Sequence, residues 1–148
     1  ELHAETMLPI EMAVVVGKNS PLAKCRSLTE LLQARWVFTS TSGTTSYAKL
    51  LFERNGLLPP KPAAMVNSTL GLMALIAGGD HVGLMPMPIA SHPAASQFMD
   101  IVPIREGHLA LKLGAIYRQD ALLKPMVRHF LSHLHRAAHQ ARLDHGKL

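Results

Sequence analysis

The stretch Thr39-Ser40-Thr41-Ser42-Gly43-Thr44-Thr45-Ser46 carries a hydroxyl side chain at every position except Gly43. It joins the end of an apolar run, Trp36-Val37-Phe38, to the start of a helical pattern near Thr45. The first turn of a helix leaves N–H groups without intrahelical partners, and the helix dipole gives them partial positive charge. Gly43 lets the backbone approach a bound group closely, and the hydroxyls donate or accept as required. Together these features suit a carboxylate, sulfonate or phosphate. Asn67-Ser68-Thr69, at a second helix start, repeats the chemistry. The same residue types also cap helices and fill polar turns without any ligand. Both readings stand for Ser40, Thr41, Ser42, Gly43, Thr44 and Thr45.

Other chemistry is thinly represented. The glycine-containing turn lacks the lysine of a phosphate loop, and Gly78-Gly79 follows a helix where a dinucleotide fingerprint opens one. No serine sits in a G-x-S-x-G elbow, and Cys25 has no neighbouring His or Asp to activate it. Asp80, Asp100 and Glu106 stand singly, so the opposed carboxylates of general acid/base work are missing. The expectation is a binding protein and not an enzyme, with no cofactor. His129/His133 and His135/His139 have the i, i+4 spacing that chelates a metal from one helix face. Two exposed ligands hold a metal weakly, so they read as a solvated polar face and no metal is expected. Trp36 reads as core, and the eight Met residues, Met85 and Met87 included, as gap-fillers.

Short apolar runs alternate with helical segments, which predicts βα units on a largely parallel sheet. Strands are expected at Met12–Val16, Trp36–Phe38, Ala63–Val66, Val82–Met85, Asp100–Ile104 and Ala110–Tyr117. Ser27 with Glu30 forms a capping box before a short helix that turns Leu28, Leu31 and Leu32 inward. Helices follow from about Thr45 to Asn55, stopped by Gly56 and Pro59-Pro60, and from Thr69 to Ala77, capped by Asn67-Ser68 and stopped by Gly78-Gly79. Residues 86–97 read as a Pro-broken connector. The last helix, from about Leu123 to Arg142, carries Val127, Phe130, Leu131, Leu134, Ala138 and Ala141 in one narrow stripe that docks on a core. The Thr69–Ala77 segment is apolar around nearly its whole circumference, so it is either deeply buried or shares its outer side with another subunit, and the small size of the domain favours the interface.

With 148 residues, 48% of them hydrophobic and 17% charged, the chain is one domain or part of one, and neither disordered nor coiled coil. One cysteine forms no internal disulfide, which suits a reducing compartment. The apolar run Leu70–Ala77 is far short of the ~20 residues of a membrane helix. The formal charge of +5 favours polyanions, but the bases are scattered. Beginning at Glu1, the chain reads as an internal piece of something longer.

Six passages, taken in order, resemble the LysR-type transcriptional regulators. They are 8–16 with Ser20-Pro21-Leu22-Ala23, then 27–32 and Arg35-Trp36-Val37. Ser42-Gly43-Thr44, then Phe52, Gly56-Leu57 and Pro59, follow, and Leu75–Gly79 with Val82–Pro86 closes the set. The resemblance covers about Leu8 to Leu134, with Ser20 in place of the usual His and His81 where a small residue is common. It implies an α/β fold like a type 2 periplasmic binding protein, with a mostly parallel sheet flanked by helices and only part of the domain present. Residues 1–8 would be a crossover segment, 9–109 the second lobe, 110–142 the returning strand and helix of the first lobe, and 143–148 a tail. The function implied is that of the effector-sensing domain of a cytoplasmic regulator, binding a small organic acid in an interlobe cleft to control transcription. Promoter DNA would be met only through a missing N-terminal domain, and no membrane is involved. Ser40 to Thr45, Asn67, Met85 and Pro86 would line the cleft. Met65, Thr69, Leu72, Met73, Leu75 and Ile76 would belong to the interface of a homodimer or tetramer. The alternative is a periplasmic solute-binding protein for a small anionic metabolite.

Overall fold

The computed structural model describes residues 1–39, 46–118 and 124–145, with side chains in the last helix to Arg142. The chain divides into two compact units: Glu11–Leu109, and Glu1–Ile10 together with Ala110–Leu148.

In the larger unit the sheet order is β3-β2-β4-β1-β5, with β1 at Leu2–Gly17, β2 at Arg35–Thr39, β3 at Ala64–Val66, β4 at His81–Pro86 and β5 at Met99–Ile101. β2 runs parallel to β3 and β4, whereas β1 is antiparallel to β4 and β5. Four strands therefore share one direction and β1 alone opposes them. The run Met12-Ala13-Val14-Val15-Val16 is buried throughout, as a β-branched run covered on both faces requires. Trp36 is fully buried, donates its indole N–H to the Leu31 carbonyl at 2.8 Å, and meets the Phe52 ring edge-on at 5.0 Å. Burial and ring geometry make this cluster the best-anchored part of the core.

The helices α1 (Tyr47–Arg54) and α2 (Thr69–Ala77) end where local chemistry ends them. After α1, the Gly56 N–H bonds the Glu53 carbonyl and the Leu57 N–H the Phe52 carbonyl, with Gly56 at φ +69°. This is the paired closure that a glycine beyond the C-cap permits. Ser68 caps α2 by accepting the Gly71 N–H at 3.0 Å. α2 packs directly on β4: a Cβ added to Gly83 would lie 2.7 Å from Leu72 Cδ1. The Ser27 hydroxyl accepts the Glu30 N–H at 3.4 Å and donates to the Glu30 carboxylate at 2.9 Å, so the expected capping box is only half made, and around a 3-10 turn at Thr29–Leu31 and not an α-helix. Leu28 and Leu31 are buried, while Leu32 is half-buried.

Several boundaries differ from the sequence expectation. β5 stops at Ile101, because the Val102 N–H is the last to reach β1, at the Val14 carbonyl, and Pro103 has no N–H to donate. The 86–97 connector contains a short helix, α3 (Met87–Ala90), and a 3-10 turn at Ala95–Gln97.

In the smaller unit, the first half of β1 pairs with β6 (Leu109–Arg118), and α4 (Pro125–His145) packs here through Leu131 and Ala138 against Met7. Val127 and Leu134 join that cluster. Phe130, expected in the docking stripe, is 62% exposed, since it sits at the stripe's margin and no element of the described unit covers that side.

Candidate functional site

Parallel pairing collects the relevant chain ends. Thr39 lies opposite Val66 in the β2–β3 register, and β4 runs the same way beside β2. The C-terminal ends of β2, β3 and β4 therefore open at one edge of the sheet, where ligands of α/β proteins bind. Three of the expected site segments leave from that edge: the hydroxyl-rich loop after Thr39, Asn67 after β3, and Pro86 at the end of β4. Residues 40–45 themselves lie outside the described residues, so Ser40, Thr41, Ser42, Gly43, Thr44 and Thr45 are located only by their two anchors, Thr39 and Ser46.

The two helix starts at this edge differ. At α2 the Ser68 hydroxyl already accepts the Gly71 N–H. At α1 the N-cap residue Ser46 makes no side-chain cap bond. Its hydroxyl is buried and has no hydrogen-bond partner among the described residues. A buried hydroxyl without a partner costs roughly 1–3 kcal/mol. This orphan stands beside the first-turn amides of a helix, where the dipole favours negative charge. Sequence reasoning included Ser46 in the hydroxyl-rich stretch but left it out of the candidate site. Its signal was its place as the last hydroxyl before a helical run.

Asn67 is exposed and lines an open recess of about 490 Å³ with Met65, Val66, Ser68 and Gly71. Pro86 is half-buried. Met85 is a correction: its side chain is fully buried in the core with Val15, Val37 and Leu72, because β4 is a central strand covered on both faces, and it offers no surface to a ligand.

The expected interface residues separate by face. Met65 is 62% exposed and Thr69 is exposed, while Met73 and Leu75 are half-buried. Leu72 and Ile76 are corrections: both are buried within the unit, against the Gly83 notch, and present nothing to a partner. The outward residue that the expectation missed is Leu70, 77% exposed.

Elsewhere the chemistry is sparse. Burial, then the Glu30 carboxylate, push the Cys25 thiol up, which is the wrong direction for a nucleophile. Among the described residues no three His, Cys, Asp or Glu side chains converge as metal ligands. No described helix is long and apolar enough to cross a membrane.

Comparison with solved structures places this geometry. The regulatory domain of CcmR from Synechocystis PCC6803, in complex with 2-PG, superposes with a TM-score of 0.76 at 20% identity, over 93% of this chain and 67% of that one. The effector binding domain of QuiR in complex with shikimate gives 0.73 at 19%, over 94% and 66%. CbnR, a LysR family transcriptional regulator, gives 0.73 at 18%, over 93% and 48%. The chain thus spans about two thirds of the two effector-binding domains and about half of the CbnR chain. The shared α/β fold is the periplasmic-binding-protein-like fold of LysR effector-binding domains. Residues 1–139 match the LysR substrate binding domain, and the chain belongs to that family.

Proposed function

We propose that this chain is the effector-sensing part of a LysR-type transcriptional regulator and that it binds a small organic anion at the edge formed by the C-terminal ends of β2 and β3. The observation that carries the reading is the start of α1: a buried Ser46 hydroxyl with no partner among the described residues, beside a helix N-terminus and preceded in sequence by a run of hydroxyl-bearing residues. An anion there gains hydrogen bonds from hydroxyls and amides together. Occupancy changes transcription only insofar as the ligand prefers one state of the regulator over another. Promoter DNA is contacted through a separate DNA-binding domain, in the cytoplasm. The site binds and does not turn over, in keeping with its lack of paired acids and bases among the described residues.

We also propose that Glu11–Leu109 corresponds to the second lobe, and that 110–142 returns to the first lobe. The division of the chain into compact units at these positions supports this. The outward face of β3 and α2, with Met65, Thr69, Leu70, Met73 and Leu75, is the surface for a second copy. Its exposed apolar side chains support that assignment.

Calorimetric titration of small carboxylic acids against the whole effector domain tests the site. Replacing both Ser42 and Thr44 with Ala is expected to weaken the best acid by at least ~10-fold, the usual consequence of removing a charge-assisted hydrogen bond. Unchanged affinity in the double variant overturns the assignment.

A further inference from the structure

The smaller unit holds a second concave, cationic place. Between Lys124 and Arg142 the sequence has no Asp or Glu, while Arg and His recur along the helix. Where α4 faces the first half of β1, an open recess of about 610 Å³ lies between Thr6 and Met7 on the strand and His135, Arg136, His139 and Arg142 on the helix. Among the described residues no carboxylate lines it. The nearest, Glu5, stands 2.8 Å from His135 Nε2 and accepts the Tyr117 hydroxyl at 3.3 Å.

Its donors are held in place by neighbours. The Arg142 guanidinium donates to the Met7 carbonyl, which fixes it at the rim. Arg136 Nη2 lies 3.2 Å from His133 Nδ1. His135 and His139, four residues apart, project on the same side of α4. We propose that this recess is an anion site that takes a phosphate group. The guanidinium groups of Arg136 and Arg142 give the helix wall positive charge, which a concavity focuses toward anions, while Glu5 offsets part of it beside His135. Arg guanidinium presents a planar fork that matches phosphate oxygens, and Thr6 and the imidazoles add donors from the strand and the helix. A tetrahedral phosphate offers oxygens in both directions, whereas a planar carboxylate satisfies only one wall. The recess is also of the size of ordinary small-ligand sites, roughly 300–1,000 Å³. The phosphate belongs either to a small free metabolite or to a nucleic-acid backbone, because the recognising chemistry is the same.

The whole chain is titrated with inorganic phosphate at fixed ionic strength, and separately with a short duplex DNA over a salt series, while NMR follows the imidazole resonances. The expected result is phosphate binding that shifts His135 and His139 and weakens about tenfold in each of Arg136→Gln and His139→Ala. Both residues are exposed, and unchanged thermal midpoints verify folding. Binding to duplex alone, salt-dependent and weakened by the same variants, identifies the backbone as the source and supports the site. No binding of either probe overturns the proposal. Binding equal in wild type and both variants, with the imidazoles unmoved, means an adventitious ion only and overturns it too. The imidazole shifts of His135 and His139 report this recess alone, whereas the effector loop is read from the carboxylic-acid titration, so failure here is distinct from failure of that loop.

Discussion

The two units of this chain solve the problem of burial differently. The Glu11–Leu109 unit closes a continuous core in which Ala13, Val15, Val37, Leu72, Ile76 and Met85 lose essentially all contact with water. Among its described residues the smaller unit buries Met7, Leu131 and Ala138 less completely, at 7–8% exposed, and leaves Leu2, Leu113, Ile116, Met126 and Phe130 out. Apolar surface removed from water stabilises by roughly 25 cal/mol per Å². The larger unit also leaves Leu58, Met65 and Leu70 exposed, but it has a deep core to set against them, whereas the smaller one has little. That contrast is in keeping with the proposed division into a second lobe and a returning part of the first.

Truncating one aromatic in each unit is the harshest way to break this comparison. Trp36→Ala removes a fully buried ring, its hydrogen bond to Leu31 and its edge contact with Phe52. Urea unfolding followed by circular dichroism should show a loss of about 3–5 kcal/mol. Phe130→Ala, at a site 62% exposed, should stay within about 0.5 kcal/mol. A comparable loss from both would mean that the smaller unit holds a core as demanding as the larger.

A matched steric insult sharpens the contrast. A Cβ on Gly17 would lie 2.6 Å from the Ile76 carbonyl oxygen, and one on Gly114 would lie 2.5 Å from that of Glu5. In both cases the obstacle is backbone, so something larger than a rotamer must move. Gly17→Ala should lower the stability of the larger unit by about 1–3 kcal/mol. Gly114→Ala should instead part β6 from β1 with little effect on the main unfolding transition, and hydrogen exchange resolves the two. Protection lost throughout the larger unit in Gly114→Ala would erase the distinction.

These elements also show what the sequence could reveal. The bounds of α2 were legible to the residue because its stops are local: the Ser68 cap and the Gly78-Gly79 pair. Its inward face was not legible, since nine apolar residues look alike around a helix. The choice is made at a distance, by the missing side chain of Gly83, which admits Leu72 and Ile76 and leaves Leu70 outside. The first half of β1 escaped notice for a similar reason. Residues 2–10 mix polar and apolar types around Pro9, and what makes them a strand is pairing with β6, more than a hundred residues away. At the candidate site, the loop's chemistry was readable from residue type. The orphaned Ser46 hydroxyl, however, depends on burial, and Met85 was misplaced because β4 is covered on both faces, which only the packed sheet reveals.

The two faces of α2 extend the comparison to assembly. Leu70→Glu puts a charge on an exposed position, where the fold should tolerate it within about 0.5 kcal/mol. If this face meets a second copy, burying that charge in the interface should turn dimers into monomers on sedimentation. Unaltered oligomers would remove the β3–α2 face from consideration. Leu72→Glu is unsuited to this question, because it buries an unpaired charge in the core and unfolds the unit instead.

The smallest expected effect lies at the rim of the larger unit. Lys18 Nζ reaches Asp100 Oδ1 at 2.7 Å, and the Asn19 N–H donates to Oδ2 at 3.0 Å, with Asn19 at φ +61°. The Lys18 bond first, then the Asn19 amide, hold the Asp100 carboxyl below its usual range. A carboxyl lowered on folding stabilises the native state at pH above its unfolded value, about 3.9, and that contribution fades as pH falls through the folded value. Water screens this partly exposed pair, so Asp100→Asn should cost no more than about 0.5–1 kcal/mol at pH 7. At an acid pH below the folded value the variant and the wild type should converge, because the wild-type carboxyl is then protonated as well. Urea midpoints at the two pH values decide it. A deficit that persists in acid would mean that Asp100 supports the Lys18–Asn19 turn by its shape and not by its charge.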